Sequence, residues 1–370
     1  MLDPTTLPPQ VHNFGFWLVD NDIVFSKVKS VLAAQQKNTN NIRFYYHDHT
    51  FNRIDWTIEP AQTLTELYKE RALQLRENYD HVVLLYSGGS DSSNALKTFI
   101  NNDIKLDEVF CWYTSHNEHK NLTNLEIIHS ASGMLEKVQG LGITVTKIDE
   151  NPYFDKTDLK NPEWTLSAEP NLVSAQINKL KIFQENKSWR TLADSGKKIA
   201  IILGLEKPRI FYDSGKWVSA FLDVSNAWNW EELHTLPQPF TLEPFYISPH
   251  SPLITIKQSH IVKNYINKTY SVDFINDNFS KHRFNQELYY IIVRNTCYPY
   301  WDDNTFSIGK DVPVLKEKYR WVWDSNTQLS QDYFSGLHWV EKNIDSQFFN
   351  GGKIYNGLVG SWSRWYNLDA

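Results

Sequence analysis

The stretch that decides the fold is HVVLLYSGGSDSSNALKTFI, residues 81–100. Its first six residues are an apolar run of strand length, which is typical of a strand buried in a parallel sheet. Ser-Gly-Gly follows at residues 87–89 as a turn, and helix-forming residues fill positions 92–100. The pattern therefore predicts a buried strand that passes through a short glycine turn into a helix.

The same strand-and-helix alternation continues along the chain. Residues 108–113 and 143–148 predict two further strands, with a helix at about 122–139 before the second of them. Residues 198–204 predict another buried strand. Parallel strands joined by helices need right-handed crossovers, and ligands bind at the carboxyl ends of such strands. We therefore predict an α/β fold with a doubly wound, mainly parallel sheet whose ligand site includes residues 87–93.

Three segments are predicted around this sheet. Residues 1–60 contain two strand-like runs and a helical stretch, which indicate a small N-terminal α/β unit. The capping-box pattern TLTE at residues 63–66 opens a helix that should end near Asn78, within a sheet domain at 61–225. Residues 226–370 are aromatic-rich and predict a C-terminal α+β substrate or accessory region without an assigned topology.

Composition and charge exclude several function classes. The formal net charge of −6 disfavours a general nucleic-acid binder, although a local basic patch leaves a nucleic-acid partner open. The two cysteines, Cys111 and Cys297, are too few for a disulfide framework, a structural zinc site or an iron–sulfur cluster. No apolar stretch has membrane-spanning length and no signal peptide is evident, so a cytoplasmic protein without a membrane partner is expected.

The glycine turn has the chemistry of a phosphate site. Gly88 and Gly89 let the backbone approach an anion closely, while the following helix N-terminus supplies partial positive charge. Asp91 beside a polyanion implies that Mg²⁺ bridges its carboxylate to phosphate oxygens. The patterns GxxxxGK[ST] and GxGxxG are absent, so neither γ-phosphate hydrolysis nor dinucleotide binding is favoured.

Further candidates follow the later strands. Lys207 and Arg209 belong to the stretch EKPR, which follows the predicted strand at 198–204. From the carboxyl ends of the strands they can reach bound phosphates, although a solvated charged turn is the alternative. Asp213 is a candidate for a second Mg²⁺ ion, and Asp223 is a weaker one. Trp112 and Tyr86 are candidates for flanking adenine, with ordinary packing as the alternative.

Residues 80–115 resemble the PP-loop ATP pyrophosphatase superfamily, the adenine nucleotide alpha hydrolase-like proteins, whose fingerprint is Ser-Gly-Gly-x-Asp-Ser after the first strand. The loop form is nearest to the synthetase domain of asparagine synthetase, and the resemblance fades through about residue 215. It implies a HUP/PP-loop type of sheet that binds ATP and Mg²⁺. It also implies that an acceptor oxygen attacks the α-phosphate, releasing pyrophosphate, before an amine, ammonia or sulfur donor displaces AMP.

The loop motif, the positions at strand ends and the resemblance together give the expected site residues. The residues expected to hold ATP are Tyr86, Ser87, Gly88, Gly89, Ser90, Asp91, Ser92, Ser93 and Trp112. Those expected to act in catalysis are Asp91, Lys207 and Arg209, and those expected to bind metal are Asp91 and Asp213.

Absent cysteines narrow the chemistry within the superfamily. Sulfate-activating reductases, deazaguanine-nitrile synthases and two-thiocytidine-type enzymes all need cysteines that this chain lacks. Leu2 stands where a built-in glutaminase would have its cysteine, so no such half is expected. The leading hypothesis is an AMP-forming C–N ligase or amidotransferase-like enzyme that adenylates an unidentified acceptor. The alternatives are a tRNA- or nucleobase-modifying enzyme and a non-catalytic ATP-binding module.

Overall fold

The structure is a computed structural model. The residues that it describes are 14–113, 132–149, 161–166, 179–205, 207–223, 238–301, 328–353 and 358–370.

A parallel sheet forms the centre of this fold. Within the described residues it has five strands, all parallel, in the spatial order β6-β5-β4-β7-β10. Its strands are β4 (His81–Leu85), β5 (Glu108–Tyr113), β6 (Thr144–Asp149), β7 (Ile199–Leu203) and β10 (Thr241–Pro244). The predicted α/β class with a mainly parallel sheet is confirmed, and the arrangement is compatible with a doubly wound fold.

The strand order reverses beside β4. The chain runs from β4 outwards through β5 to β6, then returns to β7 on the opposite side of β4 and continues to β10. In open α/β sheets such a reversal opens a crevice at the carboxyl ends of the two adjoining strands. The loop at residues 87–93 leaves β4 at this point.

The helices follow from local signals. The predicted capping box is confirmed at the start of α3 (Leu64–Asn78), where the Thr63 hydroxyl accepts from the Glu66 N–H and the Glu66 carboxylate accepts from the Thr63 N–H. Helix α4 (Ser90–Asn101) begins two residues earlier than predicted, because Ser90 and Asp91 already form its first turn. The other helices are α1 (Lys27–Lys37), α2 (Asp48–Phe51), α5 (Ser132–Gly140), α6 (Lys179–Gln184), α7 (Lys187–Asp194), α8 (Pro252–Thr269), α9 (Val272–Phe279), α10 (Gln286–Cys297) and α11 (Gln328–Asn343).

Two small antiparallel sheets accompany the central one. Strands β1 (Phe16–Val19), β2 (Asp22–Val24) and β3 (Ile42–Tyr45) form the first, within the predicted N-terminal unit. Strands β8 (Arg209–Asp213), β9 (Lys216–Ala220) and β12 (Tyr366–Asn367) form the second. A short β11 (Arg283–Phe284) lies between α9 and α10.

Packing crosses the predicted segment boundaries. Strand β10 lies beyond residue 225 yet is the fifth strand of the central sheet. One contiguous hydrophobic cluster extends from Phe14 to Leu368 and includes residues of all three predicted segments. In the described part of the chain, no helix is both long and apolar enough to cross a membrane.

Candidate functional site

The loop after β4 has the backbone of an anion site. Gly88 has φ +79°, in the left-handed region that glycine enters without a steric penalty. Gly89 is the N-cap of α4 and no side chain caps the helix there. The first N–H groups of a helix have no intrahelical partner, so an uncapped helix start offers them to a ligand.

Hydrogen bonds between hydroxyl and backbone groups stabilise the loop. Ser92 Oγ lies 3.2 Å from Ser87 Oγ, and the Gly89 N–H donates to Ser87 Oγ at 3.3 Å. Ser93 Oγ donates to the Tyr86 hydroxyl at 3.3 Å, and burial raises the pKa of that hydroxyl to about 12. Tyr86, Ser92 and Ser93 are buried, whereas Ser87 is exposed and Ser90 is half-buried. The three buried groups support the loop, whereas Ser87 and Ser90 lie on its more exposed side.

Strand β7 ends directly against the start of α4. A Cβ atom added to Gly204 would lie 3.0 Å from both Cα and N of Ser92 and 3.2 Å from the carbonyl carbon of Asp91. Real Cβ atoms rarely come so close to backbone, so only glycine fits here without movement. This contact brings the segment after β7 to the loop.

Lys207 reaches the loop from that segment. Its Nζ lies 2.7 Å from Oδ2 of Asp91, and its side chain is 6% exposed whereas that of Asp91 is 24% exposed. The structure therefore brings together two residues that were predicted to serve one site. Because the pair is partly open to solvent on the carboxylate side, a ligand can approach it from there.

Two tyrosines that sequence reasoning missed also hold Asp91. The Tyr298 hydroxyl donates to Asp91 Oδ1 at 2.7 Å, and the Tyr246 hydroxyl donates to the Asp91 carbonyl at 2.7 Å. Burial, reinforced by the negative charge of Asp91, raises the pKa of both hydroxyls well above the ordinary value. Both tyrosines are therefore protonated donors at neutral pH. They lie beyond residue 225, after α10 and β10 respectively.

Arg209 contacts the same tyrosine, Tyr290, that Lys207 also approaches. Its guanidinium donates to the Tyr290 hydroxyl, and its Cζ is 4.6 Å from the Tyr290 ring centroid. Lys207 Nζ is 4.8 Å from the same centroid. Two cations thus contact one aromatic ring, an arrangement that the ring quadrupole stabilises.

Two predicted metal ligands lie on or after the second antiparallel sheet. Asp213 is the exposed last residue of β8, opposite Lys216 in a hairpin, and it lies four positions along the strand from Arg209, or about 13 Å. Asp223 is buried, with Lys27 Nζ 3.3 Å from Oδ2 and Trp17 Nε1 donating to it at 2.9 Å. Burial raises the pKa of Asp223.

The residues at the loop suit a metal held chiefly by phosphate. Among the described residues, no group of three His, Cys, Asp or Glu side chains can hold a metal ion. Mg²⁺ often needs only one or two carboxylates when nucleotide phosphates and water complete its shell. A carboxylate has about four acceptor positions, so Asp91 can still bind a cation beside its present partners. The Trp112 side chain is outside the described residues, and its adenine contact stays a prediction.

Comparison with known proteins adds no family assignment. No protein-family model matches the chain, and no curated protein is significantly similar to it. The class that the fold defines is an α/β protein with a parallel sheet and a glycine-rich loop at its strand-order reversal.

Proposed function

We propose that this protein binds ATP at residues 87–93 and cleaves it between the α- and β-phosphates, as an AMP- and pyrophosphate-forming adenylating enzyme with a PP-loop of the HUP type. The observation that carries the proposal is the contact of 2.7 Å between Lys207 and Asp91 at the first turn of α4. A cation and a carboxylate beside an uncapped helix start are the parts that a metal-bound polyphosphate requires.

The loop supplies the binding site for the pyrophosphate portion of ATP. The positive φ of Gly88 and the uncapped start of α4 at Ser90 leave backbone N–H groups available to phosphate oxygens. Exposed Ser87 adds a hydroxyl donor. This set of neutral donors binds phosphate without a lysine within the loop.

Lys207 supplies the charge that the reaction requires. As the bond between the α-phosphorus and the bridging oxygen breaks, negative charge builds up on the departing pyrophosphate, and a fixed cation stabilises it. In this proposal Lys207 turns its ammonium group from Asp91, which it contacts at 2.7 Å, to phosphates held by the adjoining loop. Asp91 would hold Mg²⁺, which would supply Lewis-acid polarisation of the phosphate oxygens and neutralise part of their charge.

The acceptor is a carboxylate or carbonyl-type oxygen in this proposal. Its oxygen forms a bond to the α-phosphorus while pyrophosphate leaves, so no protein nucleophile is needed. A nitrogen nucleophile then attacks the activated carbon and loses a proton, and the C–O bond to AMP breaks. The overall class is a C–N ligase or an amidotransferase-like enzyme, and a cytoplasmic location belongs to the same proposal.

The test is a product analysis. The protein is incubated with α- and γ-labelled ATP, Mg²⁺, and pooled small metabolites or tRNA, and AMP is separated from ADP. Release of AMP and pyrophosphate is expected, whereas ADP would overturn the proposal. AMP release that depends on tRNA would assign the acceptor to nucleic acid. ATP binding without turnover in any pool would favour the non-catalytic module.

Asp91→Asn tests the catalytic role within the same assay. We expect AMP release to fall by at least about a hundredfold, because the neutral amide cannot serve the metal as the carboxylate does. The matched control is Asp103→Asn, just beyond the other end of α4, where Asp103 is exposed and has φ +55°. Asparagine also tolerates this conformation. Unchanged AMP release in Asp91→Asn would remove Asp91 from the mechanism.

A further inference from the structure

The side chain of Asp91 is held from two directions. Lys207 contacts Oδ2 at 2.7 Å, while Oδ1 accepts from the Tyr298 hydroxyl at 2.7 Å and from Ser90 Oγ at 3.1 Å. We propose that Tyr298 is a positioning residue that fixes the Asp91 carboxylate for the metal-bound nucleotide. This inference rests on the proposed function of the loop.

The two oxygens of the Asp91 carboxylate have different partners, and this difference makes Tyr298 important. When Lys207 turns towards phosphate, Oδ2 loses its present partner and becomes free for a cation. Oδ1 keeps its two hydroxyl donors, so the carboxylate does not rotate. Hydrogen bonds to a charged acceptor are about twice as strong as neutral ones. Tyr298 therefore holds the orientation of Asp91 at the moment when Lys207 leaves it.

Tyr298 is itself held in place. It is 4% exposed, and its ring lies 5.5 Å from that of Tyr246. The carbonyl of the preceding Cys297 accepts from the Tyr68 hydroxyl at 2.9 Å, and that hydroxyl accepts from Gln258 Nε2 at 2.9 Å. Helices α3 and α8 thus anchor the end of α10, and a rigid support is what a positioning group requires.

Tyr246 performs the corresponding task on the main chain. Its hydroxyl donates to the Asp91 carbonyl and accepts from Asn94 Nδ2 at 3.1 Å. Backbone and carboxylate of Asp91 are therefore each bound to a tyrosine from the C-terminal part of the chain. Since phenylalanine preserves the volume of the ring at position 298, the loss of its hydroxyl falls on Asp91 rather than on packing.

A double-mutant cycle tests whether Tyr298 acts through Asp91. Equilibrium binding of ATP in the presence of Mg²⁺ is measured by calorimetry for wild type, Tyr298→Phe, Asp91→Ala and the double variant. We expect Tyr298→Phe to weaken binding about tenfold, as the loss of one charge-assisted hydrogen bond predicts. In the Asp91→Ala background the same change should have less than about a twofold effect, because its acceptor is gone.

The matched control is Tyr46→Phe. Tyr46 is 2% exposed and its hydroxyl donates to the Ile247 carbonyl at 2.7 Å, so this variant loses an equally short buried hydrogen bond without touching Asp91. Its ATP affinity should stay within about twofold of wild type if only stability is affected. Wild-type affinity in Tyr298→Phe, or an equal loss in both Asp91 backgrounds, would overturn the proposal.

A measurement without nucleotide separates this proposal from the proposed function. Hydrogen exchange of the peptide at residues 86–95 should be faster in Tyr298→Phe than in wild type or Tyr46→Phe, because the first turn of α4 loses a support. If wild type binds no ATP, the proposed function fails and the exchange rates alone decide on Tyr298. Exchange at the wild-type rate in Tyr298→Phe would overturn its positioning role.

Discussion

At the scale of single residues, Gly204 sets the distance between β7 and the loop. Gly204→Ala would place a methyl group 3.0 Å from two backbone atoms of Ser92, which cannot move aside as a side chain can. We expect the free energy of unfolding to fall by about 1–3 kcal/mol through overpacking. We also expect weaker ATP binding, because the start of α4 is displaced. Urea unfolding and calorimetry measure the two effects.

Gly133→Ala is the control for that substitution. A Cβ atom at Gly133 would meet nothing within 4 Å, and the residue lies within α5. Alanine should leave ATP binding unchanged and stabilise the helix by up to about 1 kcal/mol. If Gly204→Ala behaves in the same way, β7 does not press against the loop in solution.

The sequence predicted some site residues and missed others for a clear reason. Asp91 and Lys207 follow two buried parallel strands, and the carboxyl ends of such strands share one edge of the sheet. Tyr298 is 207 residues away from Asp91, in a region without a recognisable pattern, so no spacing rule links them. Asp213 is the last residue of β8, a strand that was not predicted, and its role as a metal ligand stays a prediction.

At the scale of elements, Glu108 links neighbouring strands at the amino ends of the parallel sheet, opposite the end that carries the loop. It begins β5 and accepts from Thr146 Oγ1 in β6 at 2.5 Å and from Trp189 Nε1 in α7 at 2.8 Å. His81 Nε2, at the start of β4, lies 3.3 Å from it. Burial raises the pKa of Glu108, but the hydrogen bonds from His81, Thr146 and Trp189 outweigh burial and lower it below the ordinary value.

The loss in free energy of unfolding caused by Glu108→Gln should therefore depend on pH. Since the folded pKa lies below the unfolded value of about 4.3, the carboxylate stabilises the fold above that pH. This contribution is lost as the pH falls through the folded pKa. We expect Glu108→Gln to lower the free energy of unfolding by about 1.5–3 kcal/mol at pH 5.5, and this difference from wild type to shrink towards pH 3.

Chemical denaturation at several pH values measures that difference. The control is Glu136→Gln on the exposed face of α5, which should match wild type throughout. A difference for Glu108→Gln that stays constant or grows on acidification would contradict the charged state of Glu108.

Element boundaries were predictable where the local signals are strong. The capping box fixed the start of α3, and the apolar runs located β4, β5 and β7. The hairpin of β8 and β9 was missed, although its turn has a sequence signal in the pair Ser214-Gly215. Both residues have positive φ in the structure, as two-residue hairpin turns often require. Strand β10 has no comparable signal, because its sequence TLEP is short and ends in proline, which weakens a strand prediction.

At the scale of the whole molecule, Lys27 and Asp223 join the N-terminal unit to the chain after β9. Their contact of 3.3 Å is buried, with Asp223 1% exposed. Lys27→Met should lower the free energy of unfolding by about 3–5 kcal/mol, because it leaves a buried carboxylate without that cation. Urea unfolding followed by tryptophan fluorescence and far-ultraviolet circular dichroism measures the change.

The control lies on the same helix. Lys37 pairs with Asp22 at 2.7 Å, but both side chains are exposed, so Lys37→Met should change stability little. A loss in Lys27→Met as small as that in Lys37→Met would mean that the buried pair does not join the two regions. Transitions that coincide for both optical probes would indicate that the N-terminal unit unfolds with the sheet.

The contacts of Asp91 also bear on the order in which the protein is made. A ribosome releases the loop at residues 87–93 long before it releases Tyr246 and Tyr298. Contacts between residues so far apart along the chain form late, because a long loop must close first. During synthesis, residues 87–93 therefore precede both of their tyrosine partners. Under the proposed function, the nucleotide site therefore gains these two supports only after residue 298 has left the ribosome.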